Sequence, residues 1–175
     1  MSDTATNFTF EFPEMQPRQK LRELILHIAK ASLFDEKFGK TKLVKILYFS
    51  DFTSFRLWGK PVTGSKYVKL PNGPMPNDLN SILAEMESSG DIRVDKRLVP
   101  GYSHPQMRII ALREPDYKIF SAQDIACVDD IIRNLWNSSG TDAADLTHGV
   151  VFKLLDPLEA IPYEASIISD EEVTQ

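Results

Sequence analysis

The stretch at residues 41–58 constrains the fold more than any other, because at helical spacing its apolar side chains fill two faces. A helix that is apolar on more than one side belongs in the centre of a domain. The stretch therefore predicts a central helix that the rest of the chain surrounds, with Thr41 as its N-cap and its end at Gly59. One face carries Leu43, Ile46 and Leu47, and the other carries Val44, Tyr48, Phe52 and Phe55.

The segments around this helix predict a winged-helix-like core. A first helix starts with Pro17, a residue that fits the first helical turn, and places its leucines and isoleucines on one face. Residues 65–70 predict a short strand, and a third helix follows Asn77 or Asp78 and ends at Gly90. Residues 92–99 and 107–112 predict a β-hairpin. Helix, helix, short strand, helix and hairpin is the order of elements in a winged helix.

Additional C-terminal helices are predicted after the hairpin, so the fold class is α+β and mainly helical. Ser121 and Asp124 have the spacing of a capping box, and a last helix is predicted from Thr141 to Pro157. The chain divides into an extended or disordered arm (1–16), a single domain (17–168) and an acidic tail (169–175). The domain consists of a winged-helix-like part (17–116) and a helical part (121–168). The inward positions of the first added helix are Ile125, Val128, Ile132 and Leu135.

Within the arm, Phe8, Phe10 and Phe12 alternate at the spacing of a strand. Three alternating phenylalanines are unusual in a solvated tail, because each would expose a large apolar ring. The arm therefore lies either against the body of the domain or against another chain, and the second alternative leaves a homo-oligomer open.

The composition places the chain among ordinary globular proteins. It has 175 residues, of which 42% are hydrophobic and 26% charged. Cys127 is the only cysteine, which excludes a disulfide framework and a cysteine-based metal site. No apolar run approaches the ~20 residues that span a bilayer, and the N-terminal residues lack the basic-then-apolar order of a signal peptide. These features predict a soluble, cytoplasmic protein without a membrane partner.

The net charge of −5 conceals an asymmetry along the chain. Residues 15–70 carry 12 Lys and Arg against 4 Asp and Glu, whereas residues 71–175 carry 8 against 18. Such a split indicates either an electrostatic partner for one half or mutual neutralisation of the halves across an internal interface.

The sequence contains no established catalytic or metal-binding pattern. Gly39-Lys40-Thr41 would require a glycine at the position of Phe34 to form a P-loop. His27, His104 and His148 lack the spacing of metal ligands. The chain is therefore predicted to be no enzyme and to bind no metal or cofactor. A hydrolase would need a polar pocket around His148.

Nucleic-acid binding is the alternative function that a winged helix suggests, for instance regulation of the chain's own operon. The third helix, which would read the groove, contains Asp78, Glu85 and Glu87 and neither Lys nor Arg, so a phosphate backbone would repel it. A contact through the nucleic-acid backbone stays open, because the hairpin carries Arg93, Lys96, Arg97 and Arg108.

Four charged residues, Lys42, Lys45, Asp51 and Arg56, share the central helix, which has little free surface. Asp51 either pairs with a nearby lysine or accepts hydrogen bonds from the backbone of the glycine–proline loops that follow. The charged side chains thus either fix the helix inside the domain or contact a partner.

Three blocks within residues 41–76 form an ordered pattern: TKLVKILYFSDF at 41–52, GKPVTGSKY at 59–67 and GPMP at 73–76. The pattern resembles that of the SocA/Panacea antitoxin domain family, which is T-K-L-x-K-L-L-Y-F-x-D, G-x-P-x-T-G-x-x-Y and G-P-x-P. Thr147-His148 and Ile161-Pro162-Tyr163 resemble the family's Ser-His and I-P-Y positions, with threonine in place of the usual serine. Phe152 is the aromatic residue nearest to the place of the family's tryptophan.

The resemblance implies a non-enzymatic antitoxin of bacteria or phages whose partner is a cognate protein toxin. Such a protein neutralises its toxin by direct contact or by delivering it to a protease. The positions that match the family's motifs are Lys42, Lys45, Tyr48, Asp51, Gly59, Pro61, Gly64, Gly73, His148, Pro162 and Tyr163. The predicted contacts with the partner are exposed residues near the glycine–proline loops and in the arm: Tyr67, Lys69, Pro74, Pro76, Phe8, Phe10 and Phe12.

Overall fold

The computed structural model describes residues 7–139 and 149–168, and it confirms the α+β class. The helices are α1 Pro17–Ala31, α2 Lys40–Trp58, α3 Leu79–Ser88, α4 Ala122–Asn134 and α5 Val150–Leu154. The strands are β1 Tyr67–Leu70, β2 Gly73–Pro76, β3 Ile92–Arg97, β4 Gln106–Ala111 and β5 Ala160–Ile161. Short 3-10 turns occupy Pro13–Met15, Tyr117–Ile119 and Tyr163–Ser166. Up to β4 these elements keep the predicted order, with one additional strand, β2, between β1 and α3. The division into arm, domain and tail stays a prediction.

Helix α2 lies at the centre of the domain, as predicted. Leu43, Ile46 and Leu47 are buried in a core that α1, α3, the β3–β4 hairpin and α4 complete. The predicted N-cap is wrong: Gly39 caps the helix, which begins at Lys40. A Cβ atom on residue 39 would lie 2.7 Å from Gln106 Cγ, so the close approach of β4 requires glycine there.

The strands form two small antiparallel sheets. One has the order β2-β1-β5, with Tyr67 opposite both Pro76 and Ile161, and the other is the predicted β3–β4 hairpin. Residues 73–76, expected to belong to the glycine–proline loops, instead form strand β2. Proline is compatible with a strand at the edge of a sheet, and β2 occupies that position. Beyond β2 the ladder continues, since the Asn77 N–H donates to the Lys66 carbonyl at 2.8 Å.

A second, aromatic core lies between the C-terminal half of α2, β1 and the last described turn. Its buried members are Phe52, Tyr67, Phe152, Ile161 and Tyr163. The rings of Phe52 and Tyr163 stack with centroids 4.7 Å apart, and Tyr67 meets Phe52 edge to face at 5.3 Å. This cluster joins the C-terminal residues to the central helix.

The first helix after the hairpin agrees with the prediction, and the last one is shorter than predicted. Helix α4 begins with the predicted capping box of Ser121 and Asp124. Val128, Ile132 and Leu135 are buried and Ile125 is half-buried. Of the last helix, predicted from Thr141 to Pro157, the described residues are helical at Val150–Leu154, between extended residues Gly149 and Leu155. Its residues 141–148 lie outside the described part.

Ion pairs between α1 and the acidic half of the chain neutralise part of the opposite charge. Arg18 and Arg22 both pair with Glu85 of α3, and Arg22 Nη2 lies 3.1 Å from Asp91 Oδ2. Lys30 likewise pairs with Glu114. The solvent-exposed pairs each stabilise a fold by only about 0–1 kcal/mol. These contacts between the two halves support the second alternative, mutual neutralisation across an internal interface.

None of the helices in residues 7–139 and 149–168 combines the length and apolarity needed to cross a membrane.

Candidate functional site

A buried carboxylate lies at the centre of the stretch that carries the family resemblance. Asp51, on α2, is fully buried. Its Oδ1 accepts from the Thr63 N–H at 2.6 Å, and its Oδ2 accepts from the Tyr67 hydroxyl at 2.8 Å and from the Thr63 hydroxyl at 2.5 Å. The predicted hydrogen bond from the backbone of the glycine–proline loop is thereby confirmed.

Further hydrogen bonds extend this cluster to the C-terminal turn. The Thr63 hydroxyl is 2.9 Å from Ser65 Oγ, and the Ser65 N–H donates to Thr63 Oγ1 at 3.1 Å. The Tyr163 hydroxyl donates to the Ser65 carbonyl at 2.6 Å. The network therefore ties α2, the loop before β1 and the last turn together. Thr63 and Ser65 were missed as members, although both lie inside the GKPVTGSKY block.

Burial dominates the electrostatics of the cluster. Desolvation raises the pKa of Asp51 above its ordinary value, while the hydrogen bonds from Thr63 and Tyr67 oppose that rise. Desolvation also raises the pKa values of Tyr67 and Tyr163 well above the usual range, and that of Tyr48 to about 12. The hydroxyl groups of Tyr67 and Tyr163 thus stay protonated and serve as donors inside the fold.

The raised pKa of Asp51 predicts a pH dependence of stability. A group whose pKa is higher in the folded state stabilises the fold below its unfolded pKa, and this contribution is lost as the pH rises through the folded pKa. Relative to the Asp51→Asn variant, the wild type should therefore lose stability as the pH rises from 4 to 8. Urea unfolding of both proteins across that range measures the difference. A difference that instead grows in favour of the wild type with pH would contradict the prediction.

The arm lies against the body of the domain, which decides between the two alternatives for its described residues. The Phe12 N–H donates to the Gly64 carbonyl at 2.9 Å, and the Tyr163 N–H donates to the Thr9 carbonyl at 2.8 Å. The Phe12 ring contacts Tyr163, with centroids 5.3 Å apart, and Phe55, at 6.0 Å. Although Phe8, Phe10 and Phe12 alternate at the spacing of a strand, residues 7–12 form no strand.

Phe8 and Phe10, in contrast to Phe12, remain 51% and 38% exposed. They flank Thr9, whose N–H also donates to Glu164 Oε2 at 2.9 Å. Phe8 and Phe10 form what we call the arm face, a pair of exposed aromatic residues on either side of an anchored residue.

The expected exposure of Tyr67, Pro74 and Pro76 is wrong. All three are buried, because the Tyr67 hydroxyl bonds to Asp51 and β2 packs against α2. Lys69 is half-buried; its Nζ donates to the Leu155 carbonyl at 2.7 Å. Among the predicted partner contacts, Phe8 and Phe10 are the exposed ones.

Most of the other family-motif positions that the structure describes contribute to the fold: they form a buried ion pair, provide glycine at turns with positive φ, or lie buried. Lys42 Nζ lies 2.5 Å from Asp35 Oδ2, and both side chains are 2% exposed. The backbone at Gly59, Gly64 and Gly73 has φ values of +70°, +79° and +121°, as predicted for glycine in turns. Lys45, Pro61 and Pro162 are buried, whereas Arg56 of the same helix as Lys45 is exposed. His148 lies outside the described residues.

Gly64 offers a direct test of how the arm is anchored. At φ +79° an L-residue is strained by about 1–2 kcal/mol, and a Cβ atom would in addition lie 2.9 Å from Phe12 Cβ. Gly64→Ala should therefore displace the arm, seen as faster proteolysis near Phe8–Phe12. Gly90→Ala is the matched control, because Gly90 has φ +78° with no atom within 4 Å of the added Cβ. Equal cleavage of the arm in both variants would contradict this anchoring.

The hairpin presents less positive charge than its sequence suggests. Arg108 is buried and donates to the carbonyl groups of Leu33, Asp35 and Phe38 at the α1–α2 loop. Arg93 Nε pairs with Asp95 Oδ1 at 2.8 Å. Lys96 and Arg97 are exposed. Two of the four bases that kept nucleic-acid binding open are therefore engaged within the fold.

Two further titratable residues, His27 and Cys127, are buried in the fold. His27 hydrogen-bonds to the Tyr117 hydroxyl at 3.0 Å and to Asp129 at 2.8 Å. Burial raises the pKa of the Cys127 thiol to about 11, so it carries no thiolate at neutral pH. In the described ranges, no three His, Cys, Asp or Glu residues are grouped so that they could hold a metal ion.

Comparison with known proteins gives one match. The family model described as "Antitoxin SocA-like, Panacea domain" matches residues 43–150, which is more than half of the chain. Comparisons with curated proteins and with solved structures give no match.

Proposed function

The chain belongs to the family of SocA-like antitoxins with a Panacea domain, and from this premise we propose that it is a cytoplasmic, non-enzymatic antitoxin. It binds a cognate protein toxin and neutralises it by direct contact. The family match over residues 43–150 is the observation that carries the proposal. The buried hydrogen-bond network around Asp51 is consistent with it, because the network stabilises a scaffold and offers no open site for chemistry.

We assign the toxin contact to the arm face. Exposed aromatic side chains are the residues that most often contribute the binding energy of an interface. Phe8 and Phe10 are held in place by the hydrogen bonds of Thr9 and Phe12 to the body. A segment that is already fixed loses less conformational entropy when it binds. The arm face is therefore a pre-organised surface for another protein.

Co-expression with the product of the neighbouring gene tests the proposal. The wild-type chain should restore growth of cells that express this product and should co-purify with it. Phe8→Ser/Phe10→Ser should weaken the complex at least tenfold, because each central aromatic residue in an interface is worth about 1–2 kcal/mol or more. Leu112→Ser is the matched control, since Leu112 is 51% exposed, like Phe8, and follows β4 outside the arm and the α1–α2 loop. Neither rescue nor co-purification by the wild type would refute the antitoxin role.

The level of the co-expressed toxin distinguishes two ways of neutralisation. Blocking by direct contact leaves the amount of toxin unchanged, whereas delivery to a protease lowers it. We expect an unchanged level, measured by immunoblot during co-expression. A fall that disappears in a protease-deficient host would instead establish the delivery route.

A further inference from the structure

A cavity of about 470 Å³ opens at the N-terminal end of α2, away from the arm face. Its three walls are the first turns of α2, the β1–β2 turn at Pro71 and Asn72, and the loop that joins β3 to β4. The close packing of β4 against Gly39 brings the hairpin loop and the helix together. The cavity is therefore built by the same contact that determines where α2 begins.

The cavity is lined by lysines and by none of the acidic residues that the structure describes. Lys37, Lys40, Lys42 and Lys45 all contribute to the wall. Lys42 is paired with Asp35 behind the wall. Lys40 Nζ donates to the neutral Asn80 Oδ1 at 2.6 Å, and Lys37 is exposed. Lys37 and Lys40 thus give the wall positive charge that no lining Asp or Glu balances.

Two further features favour a negatively charged occupant with some apolar character. The N-terminus of α2 adds the positive end of a 19-residue helix, and its cap residue, Gly39, supplies no side-chain hydrogen bond. Val99, Tyr102 and Met107 give the opposite wall an apolar surface. Carboxylate groups of a peptide can form ion pairs with the lysines, and its aliphatic carbon atoms can pack against this apolar wall.

We propose that this cavity binds an acidic peptide segment, which in the complex belongs to the toxin. The inference deepens the proposed function, on which its identification of the partner rests. The volume accommodates a few side chains and not an extended duplex. A nucleic acid would also need a broad positive surface, whereas Arg93 and Arg108 of the adjoining hairpin are engaged in the fold. A carboxylate-bearing segment is therefore the occupant that the lining favours.

Charge reversal at the cavity tests the proposal. Lys37→Glu/Lys40→Glu changes two lysines that are not fully buried, and glutamate in the first turn of a helix is compatible with folding. Lys60→Glu/Lys66→Glu makes the same change at two exposed lysines outside the cavity. The probe is a fluorescein-labelled hexaglutamate peptide, followed by anisotropy at low and at high salt. The wild type and the control should bind it in a salt-dependent manner, and the cavity variant at least tenfold more weakly.

Two parallel measurements separate the possible outcomes. No binding of hexaglutamate by the wild type, or equal binding by both variants, would overturn the proposal. A DNA duplex that binds the wild type more tightly than the peptide does, and that no longer binds the cavity variant, would also overturn the proposal. If the toxin binds the wild type and the cavity variant equally, the cavity is not its docking site. If the toxin does not bind the wild type at all, the antitoxin role fails, and the peptide still decides whether the cavity accepts acidic segments.

Discussion

Replacing Asp51 by alanine is expected to lower the free energy of unfolding by about 3–5 kcal/mol, since each buried donor left without a partner costs about 1–3 kcal/mol. The Thr63 N–H, the Thr63 hydroxyl and the Tyr67 hydroxyl all converge on this carboxylate. Alanine would remove their common acceptor in a site that is fully buried. The Thr63 hydroxyl can donate to Ser65 Oγ, 2.9 Å away, and water entering the vacated space would recover a further part of the loss, so the sum of the three penalties is an upper bound.

The control for this prediction is Asp51→Asn, which retains an oxygen for the Thr63 N–H and places an NH2 group opposite the hydroxyls, whose oxygen atoms can accept from it once the hydroxyl hydrogens turn away. It should cost less than half as much as the alanine substitution in urea unfolding at pH 7. Equal losses for the two variants would show that the volume of the side chain, and not its hydrogen bonds, determines stability at this position.

The second large effect is expected at the buried ion pair between Lys42 and Asp35. Lys42→Met should destabilise the fold by about 3–5 kcal/mol, because it leaves an uncompensated buried charge. Both side chains are only 2% exposed, so solvent cannot screen the carboxylate that remains. Chemical unfolding of the variant at neutral pH measures the loss.

The double variant Lys42→Met/Asp35→Leu separates the charge from the packing. Replacing both members of a buried pair by apolar residues is often close to neutral, so the double variant should be more stable than Lys42→Met alone. The recovery should be incomplete, since Asp35 Oδ1 also accepts the Lys37 N–H at 3.0 Å. A double variant that is less stable than the single one would refute the importance of the isolated charge.

Local patterns in the sequence were sufficient to predict the main elements. The two apolar faces of residues 43–55 placed α2 in the centre, and the capping box at Ser121 placed the start of α4. Alternation and turn residues likewise gave the β3–β4 hairpin. In each case the signal lies within one element, so neighbours along the chain carry enough information.

The features that sequence reasoning missed depend on contacts between distant residues. From its place beside a loop, Tyr67 is expected to be an exposed aromatic residue. In the structure it is buried, and its hydroxyl donates to Asp51, 16 positions away. Arg108 resembles a free base of the hairpin, although it bonds to the α1–α2 loop more than 70 positions earlier. Gly39 caps α2 because β4 passes close to it. Such pairings follow from the packing of whole elements and leave no periodic signal.

The prolines of β2 determine how the three-stranded sheet can meet other chains. Backbone N–H groups alternate in direction along a strand, and the Asn77 N–H points inward to Lys66. The nitrogen atoms of Pro74 and Pro76 therefore face outward, where proline has no hydrogen to donate. This edge cannot extend by strand addition, either with a second copy or with a toxin. At the β2 edge the protein can therefore meet other chains through side chains, without polymerising by backbone pairing.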